Sequence, residues 1–302
     1  MAEGKERAQS RLDNLQAIEP LLSSLRVLSL STMQMAMNRQ KMLDQYAGRF
    51  NAVAAQVRRM VPRENRISLQ EKSVAFEPIE QEQVLAVIGS TRGIVGQYNK
   101  NLARLAREFI DNNQAEPVEV IAFGRRIHPI LRQQGITFSS RENLSTGSLP
   151  DYDVAAKLIR EWNLGLEEGT LKRVTILSYK RVGENNSYQP ILTELLPRKI
   201  DVFLDPDEEE AEGPFPAPIV EGDPELIFEK IDSHIIAIQF YRLILDTVAA
   251  ENQFRFRLLE EAKENTSNLL EELTLEVQAN RRKEITQQLQ ELLVGSGMLA
   301  QR

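Results

Sequence analysis

The chain has 302 residues, a net charge of −7, no cysteine and two histidines. The acidic balance argues against a broad nucleic-acid surface, and the lack of cysteine excludes disulfides, thiolate catalysis and cysteine-ligated zinc or iron–sulfur centres. His128 and His234 alone cannot build a histidine-rich metal site.

The first element is a long helix, residues 1–62 in all. Leu12, Leu15, Leu22, Leu25 and Leu28 step by three and four, and helical composition continues through Met33, Met37 and Tyr46 to about Val57. Pro20 falls inside it and costs about 3 kcal/mol in a helix interior. A kink near Gln16 to Pro20, or a restart there, is therefore expected. Met33, Met35 and Met37 read as adaptable packing residues rather than ligands. Pro62 ends the helix and opens a connector over residues 62–78.

An α/β domain follows over residues 79–200. Residues 84–88, Val-Leu-Ala-Val-Ile, are wholly apolar, as a strand covered on both faces requires. A glycine-rich turn leads into a helix over 98–112, then a strand over 118–123. Gly124 opens a helix that ends near Gly135, and 136–138 is a candidate third strand. Residues 151–169 read as a helix, and 174–179 and 188–195 as two strands joined by a hairpin with Gly183 and Asn185–Asn186. Such alternation predicts a mostly parallel, Rossmann-like sheet with helices on its faces.

The turn Gly89-Ser-Thr-Arg-Gly-Ile-Val-Gly96 follows a strand and opens a helix, as a dinucleotide fingerprint would. The spacing differs: that fingerprint needs two glycines one residue apart and a third three positions on, and here they stand at 89, 93 and 96. No Gly-Lys-Ser/Thr closes a phosphate loop. Glycines at such a turn also serve tight bending and close helix–sheet packing. His128, beside Pro129, reads as a surface or half-buried residue, and His234 has no nearby carboxylate–serine set. No nucleophile, base and oxyanion donor come together, and no cofactor is expected. Residues 201–223 are an acidic, proline-rich connector, in which Glu208, Glu209 and Glu210 are a charge run rather than a catalytic pair.

The last element, residues 224–302, is the most informative. Between Pro224 and Gly295 there is neither proline nor glycine. Leu258, Ala262, Leu269, Leu273 and Val277, then Ile285, Leu289, Leu292 and Leu293, form an apolar stripe. A helix of this length is about 100 Å long and must lie against another long helix, another chain, or both. The pattern predicts an antiparallel coiled coil of the two terminal helices with the α/β domain inserted. Leu22, Leu25 and Leu28 would then face positions such as Leu258, Leu269 and Leu273. No run reaches the roughly eighteen apolar residues of a membrane span. Residues 1–7 lead into no signal-type apolar stretch. A cytoplasmic protein that meets a membrane only through partners is expected.

Three features resemble the γ subunit of rotary F-type ATP synthases. The first is the order of terminal helix, α/β domain and very long terminal helix. The second is Arg92-Gly-Ile-Val-Gly-Gln-Tyr-Asn-Lys-Asn-Leu102, similar to the family's Arg-Gly-Leu-Cys-Gly-Gly-Leu-Asn followed by a residue and Asn-Leu. The third is Arg281-Arg-Lys-Glu-Ile-Thr-Gln-Gln-Leu-Gln-Glu-Leu292, similar to the family's Lys-Ala-Arg-Gln-Ala-x-Ile-Thr-x-Glu-Leu, preceded by a match from Ala250–Glu251 through Arg255 and Ala262 to Asn265. Departures at Asn14 to Leu22, where Pro20 replaces part of a lysine-bearing motif, and at Thr91 and Arg282 suggest a divergent or second-operon type.

The resemblance implies a non-catalytic central-stalk rotor. It would turn inside a ring of α and β subunits, with its α/β domain near the ring of c subunits and the ε subunit, peripheral to the cytoplasmic face of the cell membrane. It also implies that Arg255, Arg281, Thr286 and Gln287 contact the α/β ring, and that Gly93, Gly96 and Asn99 shape the turn. Two rivals of other classes are an NAD(P)-binding oxidoreductase with helical dimerisation arms and a stand-alone coiled-coil scaffold. Tight nicotinamide binding would favour the first, and homo-oligomers without α and β partners the second.

Overall fold

The computed structural model describes residues 2–61, 82–114, 116–141, 144, 149–183, 187–197 and 219–295. Its elements are α1 (Ala2–Met60), β1 (Glu82–Ile88), α2 (Tyr98–Asn112), β2 (Val118–Phe123), α3 (His128–Gln133), β3 (Ser139–Ser140), α4 (Tyr152–Glu167), β4 (Leu171–Val182), β5 (Ser187–Leu196) and α5 (Pro224–Gly295). The expected connector over 62–78 and most of that over 201–223 lie outside the described residues, as do Asn185–Asn186 and Glu208 to Glu210. The chain divides into two compact units. One is Ser31–Phe254, and the other joins Met1–Leu30 to Arg255–Arg302.

In the larger unit the strands run in the order β3-β2-β1-β4-β5. β1 is parallel to β2 and β4, β2 is parallel to β3, and β5 is antiparallel to β4. The apolar run of β1 is central and buried, as its composition requires. Alternate residues of the strands point to opposite faces. Val84, Ala86, Ile88, Val174 and Ile176 pack with Ala155, Ile159 and Trp162 of α4 and with Ile236 to Leu245 of α5. Leu85, Val87, Leu177, Tyr179 and Tyr188 pack with α2, with Ala36 of α1 and with Ala249–Ala250 of α5. The helix pair thus serves both sheet faces.

Three sequence expectations are corrected here. The helix after Gly124 is only His128–Gln133, because residues 124–127 form a turn in which Ile127 N–H donates to Gly124 O. The third strand lies at Ser139–Ser140 rather than 136–138, since Ile136 N–H is already bonded to Leu131 O at the end of α3. The hairpin strands are longer than expected, and Gly183 takes φ +70° at the turn.

The smaller unit is a helix pair. Ala8, Leu12 and Ser29 of α1 are buried, with Leu15, Glu19, Leu22 and Arg26 half-buried between them. On α5 the matching set is Arg255, Leu259 and Thr266, with Ala262, Leu270, Leu273, Val277 and Asn280 half-buried. The four-three spacing is that of a left-handed coiled coil. Arg26 Nη1 bonds Glu260 Oε2 at 2.7 Å and its guanidinium lies 5.8 Å from the Phe256 ring. In the larger unit Asp44 of α1 meets Arg242 of α5 at 3.1 Å, and Tyr46 meets His234. In the larger unit the partner number falls from 242 to 234 as α1 advances from 44 to 46, so the helices there run antiparallel, as expected.

Part of the predicted seam is displaced. Leu25 and Leu28 are exposed and Arg26 and Ser29 take their places, while Leu269 yields to Leu270. Pro20 neither ends nor restarts the helix, since α1 is continuous through it. Pro20 lies on an exposed face, where water can satisfy the carbonyl its missing N–H leaves unbonded. Ser24 Oγ also donates to Pro20 O at 2.9 Å.

Candidate functional site: the strand–helix turn and the end of the long helix

At the turn, Asn99 is the organising residue. Its Oδ1 accepts from Ser90 N–H at 3.0 Å, and its Nδ2 donates to Ser90 Oγ at 2.8 Å. This pair, buried at both ends, ties the exit of β1 to the first turn of α2. Gly96 needs to be glycine or a rare substitute, because its φ is +54°. Gly93 has space around it, with Arg126 no nearer than 4.0 Å to an added Cβ. Ile94 is held at φ +60° with its side chain exposed. Tyr98 stacks on Tyr179 at 4.3 Å, and Tyr179 Oη donates to Tyr98 O at 3.1 Å.

The tightest glycines are a pair that spacing alone does not single out. A Cβ on Gly89 would lie 2.5 Å from Ile127 Cβ, and one on Gly124 would lie 2.3 Å from Gly89 O. The ends of β1 and β2 touch here, and buried Ile127 fills the space above Gly89. A dinucleotide pyrophosphate would need backbone N–H groups left open at this turn. Instead, Gly89 N–H is bonded to Phe123 O and Ser90 N–H to Asn99. Among the described residues no group of His, Cys, Asp and Glu has metal-binding geometry.

The end of α5 differs from the rest of the helix. From residue 281 to 294 every residue is exposed, Arg281, Thr286 and Gln287 among them. Thr286 Oγ1 donates to Arg282 O at 2.9 Å, and Gln287 Nε2 to Glu291 Oε1 at 3.0 Å. Ile285, Leu289, Leu292, Leu293 and Val294 are exposed as well. About 20 Å of helix thus presents mixed polar and apolar side chains outward. Arg255 is placed otherwise: at 7% exposure it lies in the seam of the helix pair, apart from the other three.

His234 has partners that sequence reasoning missed, because they come from distant elements. Its Nε2 lies 3.1 Å from Tyr46 Oη of α1, and its Nδ1 lies 2.8 Å from Tyr152 Oη of α4. The ring packs on Phe50 at 4.7 Å. Burial holds the imidazole pKa below its usual value. The neutral form is therefore favoured in the fold. Stability from this group is fully present above the ordinary histidine pKa of about 6.5 and is lost as pH falls through it toward the lower folded value. Urea midpoints measured from pH 7.5 to 5.5 should fall for the wild type and stay flatter for His234→Gln. Parallel curves would refute this assignment.

The class that this fold defines is an α/β sheet packed against two long helices, α1 and α5. A family model described as ATP synthase matches residues 5–299, and the chain belongs to that family. The ATP synthase gamma chain of Moorella thermoacetica is 26% identical over 213 residues, 70% of this chain and 72% of its own length. That of a Ruegeria species is 23% identical over 294 residues, 96% of this chain and 98% of its own. Among solved structures, a chain of the Euglena gracilis mitochondrial ATP synthase, OSCP/F1/c-ring in rotational state 3, shares the fold with a TM-score of 0.64. It is 13% identical, and the match covers 99% of this chain and 95% of that one. A chain from the rotor of the same assembly, in rotational state 1, matches with a TM-score of 0.60 at 13% identity, covering 94% and 100%.

Proposed function

We propose that this chain is the central-stalk rotor, the γ subunit, of an F-type ATP synthase. It carries torque between an ion-driven c-ring and a catalytic α/β hexamer and performs no chemistry itself. The observation that carries this is the end-to-end family match on a chain whose longest helix finishes in a fully exposed segment. Its partners are the α and β subunits, the ε subunit and the c-ring. It works at the cytoplasmic face of the cell membrane, held there by those partners. No described helix is long and apolar enough to cross a membrane. Residues 1–62 and 224–302 form the shaft, 79–200 the domain outside the hexamer, and 201–223 the connector between them.

Arg281, Thr286 and Gln287 are assigned to the hexamer contact. Their exposure and their place on the end of α5 support this, and the five-donor fork of Arg281 suits partner carboxylates. Arg255 is assigned to the helix seam by its burial. Gly96 and Asn99 hold the turn, whereas Gly93 has no steric demand for glycine. The oxidoreductase alternative is disfavoured by the satisfied N–H groups and the Ile127 plug above Gly89.

The test is the Arg281→Ala, Gln287→Ala double variant in a reconstituted enzyme. ATP-driven ion pumping per ATP hydrolysed should fall several-fold while the chain still folds and assembles. Wild-type coupling would remove the site assignment. Failure of the wild-type chain to assemble with α and β subunits would remove the function.

A further inference from the structure

Only two charged side chains are buried among the described residues, Asp246 and Arg255, both on α5. Asp246 stands at a particular place. Residues Ile236 to Leu245 of the helix pack with one face of the sheet, and Ala249–Ala250 pack with the other. The helix therefore changes from one sheet face to the other between these stretches, at Asp246 and Thr247. Both residues are buried, Asp246 at 5% exposure.

The groups facing Asp246 come from three other elements. Gln40 of α1, itself buried, hydrogen-bonds the carboxylate. Lys180 and Arg181 of β4 bring positive charge from the hairpin end, and Arg242 does so from one turn back on α5. Tyr188 of β5 feels the carboxylate's charge, and its hydroxyl is buried with no hydrogen-bond partner. The Thr247 hydroxyl does not compete, since it donates to Leu243 O at 2.9 Å. Burial pushes the Asp246 carboxyl pKa up, while the Gln40 bond and the three cations oppose it.

A buried carboxylate is a poor source of stability. Replacing a buried ionic group by an apolar one of similar size is often neutral or stabilising, whereas the best attested use of such groups is to fix register. A helix that changes sheet face through apolar contacts alone could slide or roll, because apolar packing is non-directional. We propose that Asp246 is a positioning residue that keys the β4–β5 hairpin onto the α1–α5 pair and fixes the register in which the sheet grips the helices. Gln40 supplies the tie to α1, and the positive charges of Lys180 and Arg181 supply the tie to the hairpin. Resting on the rotor function above, this key is the point through which torque passes between the α/β fold and the helices.

The chain has no cysteine, so two engineered cysteines can be labelled cleanly. Met42→Cys on α1 and Leu192→Cys on β5 replace exposed side chains. Spin labels there report the helix-to-hairpin distance in the full chain. With aspartate at 246 the distribution should be single and narrow. In Asp246→Leu it should widen about twofold while the melting temperature holds or rises. Asp246→Asn, which keeps a partner for Gln40 but loses the charge, should fall between. A wild-type width in a folded Asp246→Leu chain overturns the proposal, as does a large loss of melting temperature without widening. Should Asp246→Leu not fold, Asp246→Asn decides: widening supports the key and wild-type width overturns it. In the reconstituted enzyme Asp246→Leu should lower pumping per ATP hydrolysed. Wild-type coupling beside a widened distribution would overturn the torque role and leave the key. Failure of the unaltered chain to assemble would touch only the rotor function.

Discussion

Leu259→Asp should destabilise the chain by about 3–5 kcal/mol, the range for an uncompensated buried charge. Leu259 is 1% exposed in the seam between the terminal helices. Arg255, one turn back in the seam, is buried and already has a partner of its own, so it is not a free counter-charge for the new carboxylate. A buried aspartate there also loses the packing of the leucine side chain. Leu269→Asp is the control. Leu269 is 47% exposed, and its replacement should stay within about 0.5 kcal/mol. Urea unfolding of the two variants against wild type measures the difference. Equal effects would mean that the seam runs through Leu269 after all.

Gly124→Val should cost about 3 kcal/mol or more and leave little folded α/β domain. Three penalties coincide at one Cα. The backbone sits at φ +89°, which disfavours any L side chain and a β-branched one most. An added Cβ would lie 2.3 Å from Gly89 O and 2.8 Å from Ser90 O. Those atoms belong to backbone, so no rotamer change relieves the clash. Relief would need the ends of β1 and β2 to separate, breaking the Gly89 N–H to Phe123 O bond of 2.9 Å. Gly93→Ala, at a position with open space and ordinary φ, should be near neutral. Far-ultraviolet circular dichroism and thermal melts of the two variants decide the point. A stable, fully folded Gly124→Val chain would contradict the geometry.

Most of the elements were legible along the chain. Residues 98–112 and 118–123 stand where composition placed them, and the helix from Pro224 to Gly295 is unbroken, as the lack of internal proline and glycine predicted. These features are local. A wholly apolar run of five residues or a helical period sustained over many turns reports burial directly. The candidate site was legible in part. Asn99 and Gly96 have clear geometric duties and Gly93 does not, while Arg281, Thr286 and Gln287 lie together on one exposed stretch without Arg255.

The seam shows why some of the rest was not legible. Leu22, Leu25 and Leu28 advance by two successive steps of three, which turn the helix face by about 120°. Leu28 therefore points away from the partner. The four-three alternation Leu22, Arg26, Ser29, Met33, Ala36 stays on one line and is the buried one. Hydrophobicity favoured the leucines, but the rotation per residue decided the face. Strict heptad counting was the signal available.

The sequence by itself determined the order of the main helices and strands, the unbroken run of the last helix and the absence of thiol chemistry. Each depends on a residue's type and its near neighbours. The tertiary structure alone decided that Tyr46 and Tyr152 close on His234, that Ile127 plugs Gly89, and that Asp246 meets Gln40 and the charges of the hairpin. Those pairs are separated by 38 to more than 200 residues in the numbering. No periodicity links them, because what brings them together is the packing of helices across both faces of one sheet.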